Sequence, residues 1–163
     1  MKDGWNDEDG HPFLPQVPYH FSADLNGDGL SDDAWMLIST YKNFKESCEE
    51  SRDQLVSLLE SIAVKDKTVV GYAATSKSTT VLNYCGIDSS LVSYICDTTP
   101  IKHGRLSPGM HIPVRPDHEF HDDYPDYALL FAYNHKSEIF QKEQAFTKQG
   151  GRWILYVPEV ITL

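Results

Sequence analysis

The chain has 163 residues, 40% of them apolar, which is enough for one well-packed domain or one domain with a short appendage and too few for two full domains. With 14 basic against 24 acidic residues the net charge is −10, so nucleic acid and anionic lipid are repelled over most of the surface, while a small anion can still be held by local amides and one lysine. Cys48, Cys85 and Cys96 form no CxxC pair and read as reduced core thiols, and the absence of an N-terminal apolar run or of ~20 consecutive apolar residues gives the expectation of a soluble, cytoplasmic protein.

Residues 1–39 are rich in Asp, Asn, Gly and Pro, and Pro12, Pro15 and Pro18 break any early helix. Within them DLNGDGLSD places Asp24, Asn26, Asp28 and Asp32 at a D-x-N-x-D-G-x-x-D spacing. That spacing can wrap oxygen ligands around calcium, with Gly29 permitting the turn and Leu30 adding a backbone carbonyl. Trp35 stands where an EF-hand has its bidentate glutamate, and the loop is closer to the calcium loops of propeller-type repeats, with a strand expected over 34–38. The alternative reading leaves the same side chains solvated and without metal.

From Tyr41 the pattern becomes helical. Phe44, Cys48, Leu55, Leu59 and Ile62 recur on one face, with Thr40 as the expected N-cap. Residues 68–73 (TVVGYA) have the composition of a buried strand. A small-residue loop over 74–79 then leads to a short helix carrying Val81, Leu82 and Cys85 and ending at Gly86. Residues 91–96 repeat the strand signature, with Asp97 at its end. Loop follows over 98–116, with one short strand expected at 111–114. Residues 127–133 (YALLFAY) give a strand, 136–148 a helix ending at Gly150 and Gly151, and 152–157 a last strand stopped by Pro158. Strands alternating with helices imply a Rossmann-like α/β domain over residues 40–163, with a mostly parallel sheet covered on both faces, plus the 1–39 appendage.

The order of motifs carries a family resemblance. GYAATSKSTTVLNYCGI resembles the Gly-Tyr-Gly-Ala-x-x-Lys-Gly loop and following Thr-Leu-Leu-Asn-Tyr of the C-terminal domain of S-adenosylmethionine-dependent sugar C-methyltransferases. Asp97, Pro100, Lys102 and Gly104 fall on that family's Asp-x-x-Pro-x-Lys-x-Gly. SPGMHIPV, Asp126 with Tyr127, Asn134 and GGRWILYVPEV are similar to its later segments. About 120 residues from Tyr41 onward are covered. The family's glycines fall at Ala73 and Ser78 here. Before Tyr41 there are no zinc-type cysteine pairs and no glycine-rich nucleotide loop, so the resemblance implies a sugar-nucleotide ligand without implying methyl transfer by this chain.

Candidate ligand contacts follow from chemistry at the end of the first strand. A loop opening a helix offers free backbone N–H groups to an anion, and Thr75, Ser76, Lys77, Ser78 and Thr79 add hydroxyls and a cation. Asp97 stands where doubly wound folds place an acceptor for ribose hydroxyls, or else caps the following bend. Lys102, His103 and Arg105 form a basic island, and His111 and Asn134 are further candidate contacts, Asn134 alternatively capping the helix after it. His118 and His121 in HEFHDD have chelating spacing, although a polar surface turn is the simpler reading. No catalytic residue is assigned.

The functional expectation is a nucleotide-sugar-binding module without catalysis of its own, with S-adenosylmethionine entering only through a missing partner domain. The alternatives are an accessory subunit of a split methyltransferase, bound to a partner chain or to itself as a homodimer, and a structural protein from a recombined or mobile gene that keeps the fold without ligand.

Overall fold

A computed structural model describes the backbone from Asp32 to Leu163 and the side chains from Thr40 onward. The chain divides into two compact units, Met1–Glu46 and Ser47–Leu163. Four of the five residues of the calcium spacing, Asp24, Asn26, Asp28 and Leu30, lie outside the described residues.

Helix α1 runs from Asp32 to Ala63, which corrects two expectations. Residues 34–38 are helical and form no strand, and Thr40 is interior to the helix and does not cap it. An unbroken run such as AWMLI has no periodicity to separate strand from helix, whereas the spacing of Tyr41, Phe44 and Cys48 continues backward to Leu37 in helical register. Asp32, the fifth residue of the calcium spacing, is the first residue of α1.

The second unit contains strands β1 (Val69–Tyr72), β2 (Ile95–Asp97), β3 (Val114–Pro116), β4 (Tyr127–Leu130), β5 (Arg152–Leu155) and β6 (Ile161–Thr162). Its helices beyond α1 are α2 (Ser76–Cys85), α3 (His118–Asp122), α4 (Lys136–Lys142) and α5 (Gln144–Lys148). The strands form one sheet in the order β3-β2-β1-β4-β5-β6, parallel except for the β5–β6 pair. The expected Rossmann-like α/β architecture is what the chain adopts.

Strand alternation sorts the core onto two faces. Val69, Ile95, Leu129 and Ile154 pack with Leu55, Leu59 and Ile62 of α1 and Leu82 of α2. Val70, Cys96, Ala128, Leu130 and Trp153 pack on the other face with Phe120 of α3 and Phe146 of α5. Gly71 is part of this packing, since a Cβ there would come within 2.8 Å of the Phe131 ring. Asp126 ties the starts of β1 and β4 together by accepting hydrogen bonds from the Thr68 amide and the Lys67 ammonium, both at 2.8 Å.

Local differences have local causes. The expected strand over 91–96 shrinks to Ile95–Asp97 because the amides of Leu91 and Val92 turn back onto the Asp88 carbonyl. The strand expected at 111–114 begins only at Val114, because His111 occupies a turn with φ 55°. The 136–148 helix is two helices broken at Glu143. HEFHDD forms the short helix α3, anchored by the fully buried Phe120. No cluster of metal-binding side chains occurs among the described residues. All three cysteines are free, as expected, and burial pushes the Cys96 thiol up to about 12, which keeps it inert. No described helix is long and apolar enough to cross a membrane.

Candidate functional site

The strand order reverses between β1 and β4, and in open parallel sheets the crevice for a ligand forms beyond the carboxyl ends of the two strands at such a reversal. Here the crevice is bounded by residues 73–77 after β1 and 131–134 after β4. Most of the sequence-predicted residues gather on the β1 side of it, in roles that differ from one another.

Asp97, 6% exposed at the end of β2, has both carboxylate oxygens engaged inside the fold. One oxygen accepts from the Thr99 amide at 2.8 Å, and the other from the Ala74 amide at 2.7 Å and the Lys102 ammonium at 3.1 Å. Lys102 also donates to the Ala74 carbonyl at 2.8 Å, and His103 Nε2 lies 2.7 Å from the Asp97 carbonyl. Asp97 and Lys102 therefore clamp the loop after β1 to the bend after β2. The bend-capping role weighed for Asp97 is the one the geometry has, joined to a second role on the β1 loop.

The same loop opens α2. Thr75 is its N-cap, with Oγ1 accepting from the Ser78 amide at 3.3 Å. Ser78 is 2% exposed and its hydroxyl donates to the Thr75 carbonyl at 2.6 Å, so both hydroxyls serve the cap. With the Ala73 amide on Cys96, Ala74 on Asp97 and Thr75 on Ala73, the amides of Ser76 and Lys77 are the first-turn donors left without a protein acceptor among the described residues. The Lys77 ammonium has no carboxylate partner there and lies 5.3 Å from the centre of the Tyr133 ring.

Ala73 sits at φ 73°, in the left-handed region, where the resembling family has glycine. An L-residue is strained there. Ala73→Gly is therefore expected to raise stability by about 1 kcal/mol, read by urea unfolding; an unchanged or lower midpoint would show that the strain is relieved elsewhere.

Two cavities flank the first turns of α2. One, about 270 Å³, is lined by Ser76, Lys77, Thr80, Val81, Tyr133 and Tyr156 at the strand-order reversal. The other, about 320 Å³, lies on the opposite flank, where Thr75 and Thr79 face Lys102, Arg105, Leu106 and Pro108. Of the remaining candidates, His111 is exposed in its turn and lines neither cavity. Asn134 is exposed within a short 3-10 turn, and the cap of α4 is His135, so the capping role weighed for Asn134 is not observed.

A second polar centre on the opposite face of the sheet escaped the sequence reading. Glu143, 1% exposed, accepts from the Tyr72 hydroxyl at 2.8 Å and pairs with His121 Nε2 at 2.8 Å and the Lys142 ammonium at 3.3 Å. Burial, and then the hydrogen bond to Glu143, hold the Tyr72 phenol in its protonated form well above its ordinary range. The available signal was an acid in an apolar stripe, since Ile139, Glu143 and Phe146 share one helical face by spacing.

A mostly parallel sheet with helix α2 opening at its order reversal defines a Rossmann-like α/β domain. The family described as the C-methyltransferase C-terminal domain matches residues 32–158, and the chain belongs to that family. The C-methyltransferase NovU of Streptomyces niveus is 36% identical over 119 residues, which are 73% of this chain and 28% of that protein. The chain thus spans less than a third of the length of this relative.

Proposed function

We propose that the domain binds a nucleotide-linked sugar through its diphosphate at the first turn of α2 and presents it to a methyl-transfer domain or chain that supplies S-adenosylmethionine. By itself the domain performs no chemistry. The observation that carries this reading is that the Ser76 and Lys77 amides at the start of α2 have no protein acceptor among the described residues and that both residues line the cavity at the strand-order reversal. Backbone donors and a helix dipole, with a lysine in the same first turn, suit a diphosphate. The name of the relative, a C-methyltransferase of which this chain covers 28%, supports the link to methyl transfer.

The exposed Tyr41 and Phe44 on α1, 70% and 67% accessible, favour a companion reading in which the domain acts as an accessory subunit, docked to a methyltransferase chain or to a second copy through an apolar surface. Calcium at Asp24, Asn26, Asp28, Leu30 and Asp32 is a separate proposal, checked by calorimetric titration with calcium.

The test is calorimetric titration with thymidine diphosphate and a thymidine-diphosphate hexose, with S-adenosylmethionine as control. Saturable binding of both nucleotides is expected, with no heat from S-adenosylmethionine. Lys77→Ala is expected to weaken both nucleotides about tenfold or more, the size of a lost charge-assisted contact. A folded protein giving no heat with either nucleotide would remove this reading and favour a scaffold that keeps the fold without ligand.

A further inference from the structure

The cavity on the flank of α2 away from the strand-order reversal has two walls that come from different parts of the chain. Ala74, Thr75 and Thr79 belong to the loop after β1 and to α2, and Arg105, Leu106 and Pro108 face them across about 320 Å³. The second wall is a narrow hairpin over residues 104–114. It is closed by hydrogen bonds from the Gly104 amide to the Val114 carbonyl at 2.9 Å, from the Val114 amide to the Arg105 carbonyl at 2.8 Å and from the Ser107 amide to the Ile112 carbonyl at 2.8 Å. The fully buried Ile112 roots it in the core.

Two fastenings hold these walls at a set separation. At one end the Lys102 ammonium donates to the Ala74 carbonyl at 2.8 Å. At the other, Asn83 Nδ2 on α2 donates to the Pro108 carbonyl in the hairpin turn at 2.9 Å, and to the Thr79 carbonyl one turn back in its own helix at 2.7 Å. With both amide hydrogens committed, the plane of the Asn83 side chain has one orientation. Gly109, at φ 82°, lies flush against it, since a Cβ there would collide with the Asn83 amide oxygen. The hairpin turn therefore approaches α2 as closely as backbone can. Asn83 is itself exposed, so water would satisfy its amide equally well, and what the bond supplies is the position of the hairpin relative to α2.

We infer that Asn83 is a positioning residue: it latches the 104–114 hairpin to α2 and so fixes the width of the cavity that receives a part of the ligand beyond its diphosphate. This rests on the diphosphate reading above. It adds the element that closes the site on its outer flank and the side chain that holds that element in place.

Asn83→Ala removes the latch at an exposed position inside a helix, where alanine is the best-tolerated residue, and a thermal melt checks that the fold is kept. Hydrogen–deuterium exchange read by mass spectrometry is expected to show faster exchange over residues 104–114 in the variant, with β1 and β4 unchanged. Calorimetry with a thymidine-diphosphate hexose is expected to give binding about fivefold weaker than the wild type, the scale of one neutral hydrogen bond. The same ligand added to the wild type is expected to slow exchange across the hairpin, an effect that a purely structural contact does not produce and that needs no variant to measure. Hairpin exchange in Asn83→Ala equal to the wild type would overturn the assignment. So would a released hairpin with unchanged affinity, or a wild-type hairpin that the bound ligand leaves unprotected. In each of those cases the diphosphate site stands if Lys77→Ala still weakens binding. Absence of any nucleotide binding by the wild type would remove both this inference and the reading beneath it.

Discussion

Replacing Glu143 with alanine is expected to destabilise the domain by about 3 kcal/mol, because the substitution removes a buried carboxylate from the centre of its hydrogen-bond network. The carboxylate is 1% exposed at the junction of α4 and α5 and holds three partners that come from different parts of the chain. Tyr72 belongs to β1, His121 lies in the last turn of α3, and Lys142 ends α4, where it also lies 3.5 Å from Asp117. Alanine would leave the Tyr72 hydroxyl unpaired inside a ring cluster where Tyr72 packs edge-on against Phe120 at 5.2 Å and Trp153 at 5.3 Å. Glutamine keeps an acceptor for Tyr72 and loses the charge that faces His121 and Lys142, so Glu143→Gln should cost less, about 1–2 kcal/mol. Urea unfolding followed by circular dichroism measures both. A midpoint for Glu143→Ala within error of the wild type would mean that the helix junction holds without the carboxylate. Because Tyr72 lies at the end of β1, immediately before the loop that opens α2, loss of this network is also expected to loosen that loop from below.

The parts of this architecture that were readable from the residues are those fixed by short-range rules. TVVGYA, YALLFAY and RWILYV have no polar positions at the strand period, and each is a strand buried on both faces. Gly86 ends α2 with φ 66°, as a C-terminal glycine after Val81, Leu82 and Cys85 implies. AWMLI was not readable, since five consecutive apolar residues satisfy strand and helix equally. The short antiparallel strand Ile161–Thr162 was missed because two residues carry no pattern, and only pairing with β5 defines it. At the candidate site, the structure adds which of the named side chains the fold already engages. Sequence places Thr75, Ser76, Lys77, Ser78 and Asp97 near one crevice, but whether a side chain faces a ligand or its own backbone depends on which donors the fold has already engaged. Tyr133, Tyr156 and Glu143 follow the same logic. An aromatic at the end of a strand and an acid within a helix are unremarkable in a sequence, and they gain meaning from partners such as Tyr72, 71 residues from Glu143, that only the fold brings together.

Asp97→Asn should cost about 2 kcal/mol at neutral pH, and the cost should fade in acid. Burial alone would raise the Asp97 carboxyl, but hydrogen bonds from Thr99 and the Lys102 ammonium more than offset it and hold the group below its ordinary value of 3.8. A carboxyl whose folded value is depressed contributes stability that is fully present above 3.8 and is lost as pH falls through the folded value. Asparagine cannot supply the charge that faces Lys102, and one of its two polar atoms is a donor directed at groups that also donate. It therefore loses part of the clamp at every pH at which the wild type is ionised. Once the pH has fallen through that lowered folded value the wild-type carboxyl takes up its proton, and the two proteins converge. Asp126 and Asp88 are also held below their ordinary values, Asp126 first by its bond to Lys67 and Asp88 first by its bond to Ser90. Both proteins will thus lose stability in acid, and the difference between their curves is the quantity that isolates Asp97. Denaturant unfolding from pH 7 to pH 2.5 measures it. A difference that stays constant across that range would show that Asp97 acts through shape alone. Convergence would show that the charge of the buried Asp97 carboxylate, facing the partly exposed Lys102, sets the backbone of the loop that opens α2.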